Sequence, residues 1–275
     1  GAALMTGCVL AYVVNDALMK LLFAEMALFQ AVFFRGLMTI PLLCMMVWRG
    51  KVATRGMSNE NKRLVALRVA AEICATIAFL TALKHMPLAN VTAILQALPL
   101  AVTMAAALFL GEPVGWRRWT AIIIGFMGVL IVIRPGLADF NIYSLSAIVA
   151  VAFITLREIT TRRLTSDVPS LTVALSTATG ITLFAGLMMA NTEWRAVASL
   201  SWLLLAGAAV AILFGTLFSV MAMRVGEISF VAPFRYTAMV WAIGLGLMMF
   251  GDWPDQLTLI GTGIIISTGI YTFHR

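Results

Sequence analysis

A chain of 275 residues that is 62% hydrophobic and only 11% charged, with a mean hydropathy of +1.00, cannot wrap a single apolar core in a polar shell; its solvent is lipid. A formal charge of +7 would suit nucleic acid in a soluble protein, but in so apolar a chain it marks basic residues held in loops on one membrane face, and no nucleic-acid partner is expected. Cys8, Cys44 and Cys74 stand singly in apolar runs, which predicts no disulfide and no metal site.

About 20 apolar residues cross roughly 30 Å of hydrocarbon. Such runs fall near 3–24, 25–48, 64–85, 87–110, 117–134, 143–164, 170–190, 200–223, 228–249 and 255–273, predicting ten transmembrane helices. Runs such as Ala105-Ala106-Ala107-Leu108 do not alternate in polarity, so a barrel is excluded and the fold class is all-α integral membrane. Only 49–63 is a sizeable polar loop, leaving no room for a soluble catalytic or sensing domain; no enzyme activity and no cofactor are expected. A P-loop and the GxSG and GxGD signatures of intramembrane proteases are absent, so ATP-driven transport and proteolysis are not indicated.

Taken in order, span one carries Asp16 and Lys20, an acid one turn before a base, predicted to pair on one helix face. Span two carries Arg35. Span three has the reversed pair, Arg68 before Glu72, and span six repeats the first pattern as Glu158 before Arg162. Span four bears a polar run, Asn90, Thr92 and Gln96, ahead of Pro99; span nine bears Ser229, Arg235 and Tyr236 around Pro233. A proline inside a span frees a backbone carbonyl that lipid cannot satisfy, so both breaks are expected to face protein or water. Arg35, Arg157 and Arg235 have no acid one turn away on their own helix and must find a carboxylate elsewhere, a cavity or an anionic substrate; Glu72 and Glu158 are the evident protein partners. Spans one, three, four, six, eight and nine are read as lining a central cavity, with Phe79, Phe214, Phe218 and Trp241 as its aromatic wall or as ordinary packing. Small residues at Gly125 and Gly128, Gly244 and Gly246, and Gly261 and Gly263 predict close helix approach.

Residues 82–113 and 222–253 share a pattern at a constant offset of 140: Lys84 falls on Arg224, Val91 on Val231, Gly111 on Gly251 and Glu112 on Asp252. Two related halves, residues 1–136 and 137–275, are therefore predicted, and five spans in each makes the repeat inverted. Arg49, Lys51, Arg55, Lys62, Arg63, Arg117, Arg118, Arg162, Arg163, Arg224 and Arg275 gather on one side, against Lys84, Arg134 and Arg195 on the other, which puts both termini in the cytoplasm.

The set Phe34-Arg35, Ala82-Leu83-Lys84-His85-Met86-Pro87-Leu88-Ala89, Gly111-Glu112-Pro113, Ala232-Pro233-Phe234-Arg235-Tyr236-Thr237 and Gly251-Asp252-Trp253-Pro254 resembles the EamA family of the drug/metabolite transporter superfamily across nearly the whole chain. The resemblance implies a secondary carrier of the bacterial inner membrane, often an exporter, working by rocking of its two halves. Aromatic amino-acid exporters are the members it looks most like; drugs, nucleosides and cofactor-like metabolites are the alternative cargo, and a non-transporting scaffold the alternative class. The expected partners are thus a small molecule and the bilayer. The residues expected to meet substrate or line its path are Arg157 and Arg235, with Glu72, Glu158, Asp16, Asn90, Gln96, Tyr236, Trp241, Phe218 and Phe79.

Overall fold

The computed structural model describes residues 1–50, 57–136, 140–165, 168–190, 192, 194–225 and 231–273. Every regular element among them is helical: α1 (Ala2–Glu25), α2 (Leu28–Arg49), α3 (Asn59–His85), α4 (Leu88–Leu95), α5 (Leu98–Phe109), α6 (Trp116–Ile133), α7 (Tyr143–Arg163), α8 (Ser170–Met189), α9 (Ser199–Val225), a 3-10 turn (Ala232–Thr237), α10 (Ala238–Phe250) and α11 (Gln256–Phe273). Eight segments are long and apolar enough to cross a membrane, α4 and α5 counting as one, and Gln256–Thr272 is a shorter apolar helix. The protein is a multi-pass helical membrane protein. Lipid-facing stretches are visible as exposed large apolar side chains such as Ile123 and Met127 on α6, Leu183 and Leu187 on α8, and Val240 and Met248 on α10. Trp48, Trp116, Trp194 and Trp253 are exposed at or beside helix ends, where amphipathic rings anchor to the headgroup layer.

Two boundaries differ from the sequence expectation for physical reasons. α3 starts at Asn59, before the apolar run, because the Ser58 hydroxyl accepts the Asn61 N–H at 3.2 Å and caps a polar first turn that extends beyond the hydrocarbon. Span four is not continuous. Gln96 and Ala97 separate α4 from α5, with the Ala97 N–H turned back to Ile94 at 3.1 Å, because Pro99 has no N–H to give to Leu95. The 3-10 turn around Pro233 occupies the equivalent place before α10.

The helices pack in pairs that join early and late parts of the chain. α1 lies along α9, α3 along α7, α2 along α8 and α6 along α11, and α4 meets α10. In the α6–α11 pair, Gly128 and Gly261 face each other so closely that a Cβ on either would come within 3 Å of the other's carbonyl oxygen. The remaining glycines of the predicted packing set are less uniform: Gly244 and Gly263 have open space where a Cβ would go, so they do not serve helix approach. One buried apolar cluster is built from α4–α7, α10 and α11, another mainly from α1–α3 and α8–α10, and Phe79 packs against both.

Both breaks meet at the middle of the molecule, where the Gln96 amide donates to the Tyr236 carbonyl at 3.1 Å. The ends of α5 and α10 are also alike. Gly111 (φ +68°) and Gly251 (φ +70°) take the left-handed conformation, and the next N–H closes the helix, Glu112 onto the Ala106 carbonyl at 3.3 Å and Asp252 onto Gly246 at 3.1 Å. Identical caps thus place Glu112 and Asp252 just past equivalent helices.

Candidate polar site between the helix pairs

The seam between α3 and α7 holds the densest group of charges. Arg157 donates through Nη1 to both oxygens of Glu72, at 2.8 and 3.1 Å, and through Nη2 to Glu158 at 2.5 Å. The side chains are mostly enclosed, at 20% exposure for Arg157 and 18% for Glu72. In so poorly hydrated a place an isolated ion would be costly, and the fork geometry of the guanidinium lets one cation satisfy two anions. Arg68, one turn before Glu72, uses its Nε on Thr161 at 2.9 Å and its Nη1 on Thr177 at 2.5 Å.

None of the three ion pairs expected along single helices forms. Glu72 and Glu158 are taken by Arg157 across and beside the seam, leaving Arg68 to threonine hydroxyls. Arg162 reaches across to Glu112 at 2.9 Å. Lys20 turns from Asp16 toward the far end of α1, where it donates to the Met86 carbonyl at 2.5 Å, stands 3.9 Å from Asp252 and lies 5.1 Å over the Phe250 ring. Packing of α3 and α5 on α7 and of α1 on α10 brings these longer-range partners within reach, and a partner held by two rigid helices outcompetes one reached around a helix turn. Asp16 instead accepts from Asn15 at 3.0 Å, and the Asn15 carbonyl oxygen accepts from buried Arg35 at 3.1 Å, a relay joining α1 to α2.

Arg235 is differently placed. It is exposed on the 3-10 turn, no carboxylate among the described residues lies within 4.0 Å of it, and it is near enough to Glu158 and Cys8 to act on both electrostatically. Tyr236, its neighbour, points elsewhere: the hydroxyl is buried without a partner among the described residues and abuts α11 at Gly269. Gln96 is the residue that ties the two breaks together, while Asn90 is half-buried on α4. Trp241 packs in the cluster around α1 with its indole N–H buried and without a partner among the described residues, and Phe218 packs with Phe214 beside Cys8 and Met5. Ser229 lies outside the described residues.

The sequence reading missed Tyr12. Its hydroxyl bonds Thr216, its ring lies against α9 at Gly215, and it stands within electrostatic reach of Arg157 and Glu72. Charged residues from α3, α7 and the 3-10 turn therefore share a region with aromatic rings from α1 and α9. A shallow apolar crevice between α2, α3 and α8, bounded by Phe29, Val32, Thr76 and Phe184, lies apart from it and is lined by no charged residue.

Paired, interrupted helices and a buried charge cluster in an all-helical membrane protein are the features of a transporter. Residues 1–134 match the model of the EamA-like transporter family. The chain is 24% identical over 263 residues to an S-adenosylmethionine uptake transporter of Rickettsia conorii, covering 94% of this chain and 87% of the relative. It is 24% identical over 268 residues to a pseudopaline exporter of Pseudomonas aeruginosa, covering 95% and 91%. A riboflavin transporter of Vibrio cholerae is 33% identical over 176 residues, which is 63% of this chain and 58% of that one. A protein of known crystal structure shares the fold at 17% identity with a TM-score of 0.64, covering 98% of each chain. The first half of the chain is thus similar to the EamA-like transporter family, and nearly its whole length is similar to membrane transporters of small metabolites.

Proposed function

We propose that this protein is an inner-membrane secondary transporter that moves small zwitterionic, ring-bearing metabolites by alternating access, aromatic amino acids foremost and in the direction of export. In this reading ten spans form two inverted halves, residues 1–136 and 137–275, with both termini cytoplasmic. The helix pairing supports it: shifting each span by five turns the α1–α9 pair into the α3–α7 pair and leaves the other pairs unchanged. The observation that carries the substrate class is the contrast between two arginines. Arg157 is ion-paired with Glu72 and Glu158, whereas Arg235 is within electrostatic reach of Glu158 and has no carboxylate within 4.0 Å among the described residues. A zwitterion completes that set, its carboxylate on Arg235 and its ammonium toward Glu158, with Tyr12, Phe218 and Trp241 as aromatic surface.

Relatives named for S-adenosylmethionine and riboflavin favour a second cargo, a nucleoside- or cofactor-like molecule. S-adenosylmethionine itself combines an amino-acid end with a purine and suits the same site. The test is thermal stabilisation of the purified protein by tryptophan, phenylalanine, S-adenosylmethionine and riboflavin, in wild type and in Arg235→Ala. A zwitterion that stabilises wild type and at least tenfold more weakly the variant supports the reading. Stabilisation by riboflavin alone, unchanged in Arg235→Ala, contradicts it.

A further inference from the structure

Lys20 and Arg162 occupy equivalent places in the two halves, each four residues after an acid, and Asp252 and Glu112 occupy equivalent caps. Each base has left the acid on its own helix for the acid on the cap of the opposite half: Lys20 of residues 1–136 for Asp252, and Arg162 of residues 137–275 for Glu112. The two contacts lie at opposite ends of the molecule. Lys20 bonds the Met86 carbonyl, and the preceding residue, His85, stacks on Tyr143 at 3.9 Å between ring centroids, at the start of α7. Arg162 stands at the other end of α7, about 28 Å away at 1.5 Å per residue. The Arg162 latch has a second contact across the halves, Arg163 donating to the Phe109 carbonyl at 3.1 Å, while the Lys20 bond to Met86 stays within residues 1–136.

We infer that these two contacts are the gates of the carrier, Lys20–Asp252 closing one face and Arg162–Glu112 closing the other. This rests on the carrier reading above. Alternating access requires that the halves separate at one face while staying joined at the other, and these are ionic contacts that cross between the halves at each face. Equivalent caps give both gates the same construction, so one rocking motion that strains one latch relaxes the other. Both are formed here, the arrangement of an occluded carrier. The latches are not equally enclosed: the Arg162 and Glu112 side chains are about half exposed, at 48% and 50%, while Lys20 is 15% exposed. The Arg162–Glu112 face is therefore the one that opens more readily.

The test reads accessibility and needs no solute. With Cys44 and Cys74 replaced by serine, Cys8, 2% exposed and near the α1 end of the same face as Arg162, is labelled with membrane-impermeant maleimide in membrane vesicles of both orientations. Arg162→Glu should raise the rate of Cys8 labelling at least tenfold, and Arg162→Glu combined with Glu112→Arg should return it to the starting rate. At the other face, Ser144→Cys in a chain lacking the native cysteines, a position 2% exposed whose hydroxyl touches Met86, should label at least tenfold faster when Lys20→Ala is added. Lys20→Ala should not raise Cys8 labelling. If Arg162→Glu fails to fold, Glu112→Ala replaces it with the same expectation. Labelling that ignores every latch variant, or a swapped pair that stays as open as the single reversal, overturns the gates. Gated labelling in a protein that exchanges none of the tested solutes would leave the gates standing and count against the proposed cargo.

Discussion

Replacing Arg157 by alanine removes the only cation that hydrogen-bonds Glu72 and Glu158 among the described residues, and does so where both carboxylates are mostly enclosed. Taking one partner from a buried ionic group leaves uncompensated charge and costs about 3 to 5 kcal/mol, far more than the group contributes relative to apolar residues of the same shape. Two carboxylates are orphaned at once, so the upper part of that range is expected. The sequence puts Arg157 among the residues expected to meet substrate; with two carboxylates bonded to it, a loss of folding stability is the effect expected here. Arg157→Ala should therefore unfold at markedly lower temperature or denaturant in detergent. The triple variant Arg157→Met, Glu72→Met and Glu158→Gln should recover most of the lost stability, because neither carboxylate is left charged without its partner and Arg68 keeps its threonine bonds. A double-mutant cycle between Arg157→Ala and Glu72→Gln should give a coupling of about 1.5 to 3 kcal/mol. Wild-type stability in Arg157→Ala, or a triple variant no better than the single one, would refute the argument that this cluster is held by charge compensation.

Other outcomes follow from different parts of the molecule. Arg235→Ala should weaken binding of a zwitterionic solute at least about tenfold, roughly 1.4 kcal/mol, with folding unchanged, and Arg235→Lys should recover only part of it; titration of the purified proteins measures both. Gly128→Ala or Gly261→Ala forces a methyl against a carbonyl of the facing helix and should cost about 1 to 3 kcal/mol, read by unfolding. Asp255 caps α11 through the Thr258 N–H at 2.8 Å and also bonds Arg134; burial works against its charge, but these bonds outweigh it and hold the carboxyl below its ordinary value. Asp255→Ala should cost about 1 kcal/mol. Because the folded-state pKa is depressed, that difference should be full above the ordinary aspartate value near pH 4 and shrink as pH falls through the lower folded value.

Length and hydropathy were enough to locate the eight long apolar segments, and the 140-residue offset was enough to match Gly111-Glu112 with Gly251-Asp252, whose caps turn out alike. Pro99 and Pro233 announced the breaks, since a missing N–H acts locally and is written in one residue. What the chain did not reveal was who pairs with whom. Lys20, Arg68 and Arg162 each have an acid one turn away in sequence, yet each finds its partner on another helix or just past its end, because helix packing sets distances that spacing along one helix cannot encode. Tyr12 escaped for a similar reason. A lone tyrosine in an apolar helix carries no periodic signal, and only the α1–α9 contact at Gly215 shows that it stands beside the charge cluster. The Asn15-Asp16 doublet in an otherwise apolar run was a visible sign of a buried relay that spacing rules did not exploit.

The proposed orientation is open to a simple check. Reporters fused after residue 275 and within 49–63 should read cytoplasm, and one at 252–255 the opposite face; a C-terminus outside the cytoplasm would break the inverted arrangement of the halves.

The most direct test of the account is solute counterflow in proteoliposomes. Vesicles loaded with unlabelled tryptophan, phenylalanine, S-adenosylmethionine or riboflavin are diluted into trace label. The account predicts saturable exchange of a ring-bearing zwitterion, lost in Arg235→Ala. Exchange of none of these solutes by folded protein, or exchange unchanged in Arg235→Ala, would contradict it.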